Sequence, residues 1–330
     1  MDNVDSKTEN WILKIDFSQL MDMRVDYAFK LIFGTGDTLF LISLLNAIFA
    51  NKKIPRIIKS LVIANPYLEK YSKGDKLSIL DIRAQLDDGS TILIEMHLYD
   101  LDDLKYKTIR SWARAYGEEL KTSEAYSTQT PVICITFANG SMDEGENQKI
   151  HKCCKITDID DHTVFSDALE LHYIDMKAFV KAINEKGSID EDKTEESMLD
   201  NFSNWLAFIT EKDIEDKTII KTICEEQEEI GMAVSALVRL SEDKITRQAY
   251  QRRQDEIMSY NKRINDYKHI AEEANRKTEE ANRKTEEANR NAEEANRKTE
   301  EANHRIKQAE NALDEKDTII AQLKERLGEK

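Results

Sequence analysis

The sequence predicts an α/β protein: a three-layer unit with a small mixed sheet, then a helical segment and a long C-terminal coiled coil. Three observations carry that expectation. Two alternating apolar runs, residues 77–86 (LSILDIRAQL) and 91–98 (TILIEMHL), flank Asp87-Asp88-Gly89 and read as a β-hairpin on an Asp-Gly turn. A wholly apolar run, residues 131–137 (PVICITF), reads as a strand buried on both faces. From Ala271 onward a seven-residue unit repeats with little variation, which is the period of a coiled coil.

The elements follow in chain order. Residues 25–33 (VDYAFKLIF) place Val25, Ala28, Phe29 and Ile32 on one helical side, and Gly34 and Gly36 break the pattern. Residues 40–49 form a second apolar helix, Pro55 ends a short joint, Leu61–Ala64 is a candidate strand, and Asn65-Pro66 opens a turn. In the hairpin, Glu95 and His97 share a face because strand side chains alternate, and Asp81 sits on the partner strand. Residues 100–123 read as a helix with Trp112, Ala115 and Tyr116 inward and a basic set of Lys105, Lys107, Arg110 and Arg114. The strand at 131–137 is expected to be central, with 171–175 completing the sheet.

Composition shifts set the boundaries: a tail over 1–16, the α/β domain over 17–186, an acidic linker over 187–197, a helical segment over 198–240 and the coiled coil over 241–330. In the helical segment Met198, Leu199, Phe202, Trp205, Leu206 and Ile209 recur at helical spacing, with Trp205 and Phe208 as packing aromatics. A single further helix over 217–240 carries Ile219, Ile220, Ile223, Ile230, Ala233, Val234 and Leu237 near one face, and the segment is expected to pack on the α/β domain.

One continuous helix from about residue 240 to 327, about 130 Å of rise, fits the heptad pattern. Ala274, Ala281, Ala288, Ala295, Ala302 and Ala309 alternate at spacings of three and four with Ala271, Thr278, Thr285, Ala292, Thr299, Ile306, Leu313 and Ile320. The same register takes in Tyr250, Ile257, Tyr260, Ile264 and Tyr267 upstream, and Leu323 and Leu327 downstream. The middle of this seam buries little apolar area, so helix propensity and pairs such as Glu273 with Lys277 support it. Two readings stay open: a homo-oligomerising rod, or a lone solvated helix.

The chain has 330 residues, 40% of them hydrophobic, and a formal net charge of -16. Such an acid excess argues against non-specific wrapping of nucleic acid, though not against a local basic groove. Cys134, Cys153, Cys154 and Cys224 have no zinc-ribbon or CxxC spacing and read as structural or incidental thiols. No signal peptide is evident, and no run reaches the roughly 18 apolar residues of a membrane helix. The cytoplasm is the expected location, with no membrane partner.

The chemistry concentrates on the hairpin. One acid on each of two paired strands, Asp81 and Glu95, can converge and hold a divalent cation, with His97 beside it. The bland alternative is a cross-strand pair of solvated acids; such pairs repel, and both residues are flanked by apolar neighbours. The basic helix face has two readings as well, a solvated surface or a contact for nucleic-acid phosphates. His151, His162 and His172 lack ligand spacing and read as structural or surface residues.

The runs DYAFKLIFG (26–34), LISLLNAIF (41–49), LDIRAQLDDG (80–89), LIEMHL (93–98), AYGEEL (115–120) and TPVICITF (130–137), in this order, resemble the Rpn recombination-promoting nucleases, the PD-(D/E)XK nuclease family transposases. The resemblance covers about residues 17–175. It implies a restriction-endonuclease-like core and magnesium-dependent cutting of double-stranded DNA, in horizontal gene transfer or phage defence. It makes Asp81 the first strand acid and Glu95 the second, with Asp26 able to complete the metal site and Lys30 supporting the site or the fold. Lys107, Tyr116 and Glu119 fall in the helix after the metal hairpin. His97 stands where related nucleases place lysine and this family commonly places glutamine, and Ser123 stands where glycine is usual.

Phosphodiester hydrolysis uses a cation to polarise the phosphate and acidify bound water. Mg²⁺, or Mn²⁺ in its place, suits the oxygens of Asp81, Glu95 and Asp26, with the Met96 carbonyl as a further donor. His97 and Lys107 are the catalytic candidates beside the acids, and Lys30, Lys105, Arg110 and Arg114 the nucleic-acid contacts. Three functions compete: a DNA endonuclease working as an oligomer, a catalytically weakened nuclease fold that binds DNA or a protein, and a structural protein whose coiled coil is the working part.

Overall fold

The computed structural model describes residues 12, 14–35, 37–64, 81–98, 104–118, 125–140, 149–186 and 200–328. Its strands are β1 (Leu61–Ala64), β2 (Ile82–Leu86), β3 (Thr91–His97), β4 (Val132–Ala138), β5 (His151–Thr157) and β6 (Val164–Asp175). Its α-helices are α1 (Asp26–Phe33), α2 (Leu39–Asn51), α3 (Leu104–Glu118), α4 (Met176–Lys186), α5 (Asn201–Ile209), α6 (Lys217–Glu226), α7 (Glu228–Glu242) and α8 (Lys244–Leu327).

The strands form one mixed sheet in the order β1-β2-β3-β4-β6-β5. β3, β4 and β6 run parallel, and the outer pairings are antiparallel. The apolar run β4 lies between β3 and β6, buried along its whole length as expected. The hairpin forms as well: Gly89 adopts φ +87°, a left-handed conformation that suits glycine, and the Ser90 amide donates to Asp88 at 2.9 Å.

Strand alternation makes the three layers. Ile82, Ala84, Ile92, Ile94, Ile133, Ile135 and Phe137 face the larger core, shared with α1, α2 and α5–α7. Leu93, Val132, Cys134 and Leu171 face a smaller core with Ala115, Trp112 and Tyr116 of α3. Trp205 and Phe208 are packing aromatics: the Trp205 ring meets Phe33 edge-on at 5.5 Å, beneath α1. Burying each such side chain contributes about 1.5–3 kcal/mol. The helical segment thus shares one core with the sheet, and so does Ile12 from the expected tail.

Several expectations need correction. β2 begins at Ile82, so Asp81 stands one residue before the strand. The single helix expected over 217–240 is two, because Gln227 is extended (φ -122°, ψ 104°). α6 and α7 then pack so closely that a Cβ on Gly231 would meet the Cys224 carbonyl oxygen at 2.8 Å. Asp243 is extended too, and its carboxylate accepts from the Thr246 amide at 2.8 Å, capping α8, so the long helix does not run on from residue 240. β5 and α4 were not anticipated. The turn at 65–66, the first strand's residues 77–80, the helix ends at 100–103 and 119–123, Met198 and Leu199, and the linker at 187–197 lie outside the described residues.

The chain divides into two units, Met1–Asn261 and Lys262–Lys330. The first turns of α8 belong to the former: Tyr250 is buried, its hydroxyl accepts from the Asp22 amide at 3.0 Å, and Ile257 packs against the same core. These two residues therefore serve the core and are not seam positions. The second unit is one exposed helix, with Glu273–Lys277, Glu280–Lys284 and Glu294–Lys298 each paired at 2.8 Å. Among the described residues no helix is long and apolar enough to cross a membrane.

Candidate active site

The hairpin register sets the site. Ile82 pairs with Ile94, so extending the ladder by one residue brings Asp81 opposite Glu95. Asp81 leaves the ladder there and accepts a hydrogen bond from the Met96 amide at 2.5 Å. Alternation along β3 turns Glu95 and His97 to the same side, where His97 Nε2 lies 2.7 Å from Glu95 Oε2.

α3 closes over this pair. Lys107 Nζ reaches Glu95 Oε2 at 2.7 Å and lies 3.3 Å from His97 Nε2, and the Ser111 hydroxyl donates to Glu95 Oε1 at 3.2 Å. Helical spacing of four puts Lys107 and Ser111 on one face. Asp26 opens α1, and Tyr27, Lys30, Met96 and Arg253 complete the wall of a cleft of about 450 Å³. Arg253, in the third turn of α8, grips Asp26: Nε donates to both carboxylate oxygens at 2.9 Å and Nη2 to Oδ2 at 2.5 Å.

The two acids are shifted in opposite directions. Burial pushes Asp81 up to about 6, and the nearby Asp26 and Glu95 carboxylates add to the rise; the Met96 hydrogen bond and His97 oppose it. Burial would raise Glu95 too, but the His97 hydrogen bond and the charge of Lys107 outweigh it and hold Glu95 at about 2. The Asp26 hydrogen bonds keep Arg253 above its ordinary value.

The expected metal ligands Asp26, Asp81 and Glu95 thus line one cleft, though not as a tight triad. Among the described residues no group of three or more His, Cys, Asp or Glu side chains is drawn together to hold a metal ion. Arg253 holds Asp26, while His97 and Lys107 hold Glu95. The donor chemistry still fits a hard cation: two carboxylates side by side, one of them raised in pKa by burial among like charges, are what a divalent ion would relieve.

The other expected residues separate. Lys30 lines the cleft. Lys105 and Arg110 lie on the exposed face of α3. Arg114 is only 5% exposed and packs inward, so it does not offer its charge at the surface. Tyr116 stacks on Trp112 at 5.2 Å in the smaller core. Glu119 and Ser123 lie outside the described residues. His151 and His172 are buried, not at the surface: His151 Nε2 meets His172 Nδ1 at 2.9 Å, and His172 Nε2 meets Glu170 at 2.8 Å. His162 sits exposed in the β5–β6 turn. None of the four cysteines forms a disulfide, and Cys134 and Cys224 are buried.

Arg253 and Ser111 were missed. Ser111 could have been found four residues after Lys107 on the same helix face. Arg253 is 227 residues from Asp26, and no local pattern marks it.

A family model described as PD-(D/E)XK nuclease family transposase matches residues 23–267, a span that takes in every cleft residue named above. No curated protein and no solved structure matches the chain. The mixed α/β sheet and the match over most of the sequence agree: the chain belongs to the PD-(D/E)XK nuclease family transposases.

Proposed function

We propose that the chain is a metal-dependent DNA endonuclease whose centre is Asp81 and Glu95. The observation that carries this reading is their placement: adjacent acids at the end of a buried hairpin, in a cleft with Asp26, Lys30, His97 and Lys107. Asp81, Glu95 and the Met96 carbonyl would hold Mg²⁺ or Mn²⁺. Bound there, the ion would polarise the phosphodiester and lower the pKa of its water.

The protein's own groups have distinct tasks. His97 orients Glu95 through its 2.7 Å contact. Lys107 brings to the acid pair the positive charge that related nucleases carry on the strand, where this chain has His97. With a phosphate held at the acid pair, the Lys107 ammonium would offset the charge that develops there. Lys105 and Arg110 on the exposed face of α3 are proposed contacts to the DNA backbone. Recombination or phage defence in the cytoplasm, with assembly through the coiled coil, is the setting proposed for this activity.

A second reading, a weakened nuclease fold that binds DNA or a protein partner, draws on the same contacts, since both Asp26 and Glu95 are already paired with cations. Incubation with supercoiled and linear duplex DNA separates the two. The first reading expects cutting with Mg²⁺ or Mn²⁺ and none with chelator. DNA binding without cutting under either metal would transfer the weight to the second.

A further inference from the structure

Arg253 enters the cleft from the long helix α8, and its hydrogen bonds suggest a task beyond holding Asp26. A guanidinium carries five N–H donors in a planar fork. Among the described residues Asp26 takes the Nε donor and one on Nη2, and Glu256 takes one on Nη1 at 3.0 Å. One N–H on each terminal nitrogen remains to donate to the oxygens of a phosphate. The side chain is 42% exposed and lines the cleft that holds Asp81, Glu95 and Lys107.

We propose that Arg253 is a substrate-binding residue: anchored by Asp26 and Glu256, it grips a phosphodiester of the DNA strand entering the cleft. The anchoring fixes the plane of the guanidinium before substrate arrives, so little side-chain freedom is lost on binding. The cleft thereby includes a residue from the helix that leads into the heptad repeat. The proposal rests on the nuclease reading.

The test uses the full-length protein and its Arg253→Ala and Arg253→Lys variants. Binding of fluorescently labelled duplex DNA is followed by anisotropy in Ca²⁺ over a range of salt. Cutting rates in Mg²⁺ and thermal melting are measured alongside. Arg253→Ala is expected to bind about tenfold more weakly, and its dependence of log K on log salt to fall by about 0.9, the value for one lost phosphate contact. Arg253→Lys keeps the charge and loses the fork, so it should keep the slope and bind with intermediate affinity. Wild-type DNA affinity and slope in a folded Arg253→Ala protein would overturn the proposal and leave Arg253 as a structural clamp on Asp26. If Arg253→Ala fails to fold, the lysine variant decides: affinity equal to wild type would overturn the proposal. Wild-type protein that binds and cuts while the variants match it refutes this inference alone. Wild-type protein that neither binds nor cuts DNA refutes the nuclease reading, and the inference with it.

Discussion

Asp81 and Glu95 are neighbours with opposite effects on the fold, and pH separates them. Asp81 has an ordinary value of 3.8 and titrates near 6 in the folded chain. The fold therefore binds its proton more tightly than the unfolded chain does. That stabilisation is present below about pH 4 and lost as pH rises through 6. Glu95 runs the other way, from 4.5 down to about 2, so its stabilisation is present above pH 4.5 and lost as pH falls through 2. In chelator at pH 7.5, Asp81→Asn should stabilise the protein and Glu95→Gln should destabilise it, each by about 1–3 kcal/mol. The gain from Asp81→Asn should fade toward pH 4. Urea unfolding at both pH values checks this, and movement of both variants in one direction would contradict it. The shared face of Glu95 and His97 and the pairing of Asp81 with Glu95 were legible in the sequence, because a strand's period of two and an Asp-Gly turn fix a hairpin's register; that Asp81 falls just before the strand was not. The reach of Lys107 to Glu95 was not, because it depends on how α3 crosses the sheet.

At the scale of elements, the first turns of α8 belong to the folded body through Tyr250. Its ring is buried, its hydroxyl accepts from the Asp22 amide at 3.0 Å, and the Gln254 side chain donates to the same hydroxyl at 3.0 Å. Tyr250→Phe leaves a partly buried amide without its acceptor and should cost about 1–3 kcal/mol. Tyr250→Ala adds a cavity and should cost about 3–5 kcal/mol. Chemical denaturation measures both, and near-neutral effects would mean that this part of α8 is not held. The heptad register hid the attachment: Tyr250 and Ile257 fall on seam positions, and periodicity alone cannot tell a helix that packs on its own domain from one that awaits a partner. The break at Gln227 was equally hidden: no breaker stands at that position, and the close approach that Gly231 allows to the Cys224 carbonyl is a tertiary feature. The antiparallel strand β5 (HKCCKIT) carries too little apolar alternation to stand out. The apolar run of β4, buried on both faces, was the plainest element in the sequence.

At the scale of the whole molecule, the 84-residue helix α8 carries its distal apolar positions into solvent. Ile306 is 56% and Leu313 64% exposed, with Ile320 and Leu323 close behind. Side chains of this kind at heptad spacing gain area by pairing with a second copy, whereas the alanine and threonine middle gains little. Light scattering should find the full chain associated, and replacing Ile306, Leu313, Ile320 and Leu323 together by serine should return it to a monomer. A wild-type chain that is monomeric at all concentrations would leave α8 as a solvated helix. The repeat itself was the most legible feature of the sequence, but its partner is a property of more than one chain and cannot be read from a single copy.

The most direct test of the account compares wild-type protein with the Asp81→Ala/Glu95→Ala double variant on supercoiled duplex DNA in Mg²⁺ or Mn²⁺, with melting curves to establish that both are folded. The wild type is expected to cut, and the variant to lose that cutting by about 1,000-fold or more, because the cation's oxygen ligands are gone. Cutting that survives in the folded variant would contradict it and place the chemistry elsewhere in the chain.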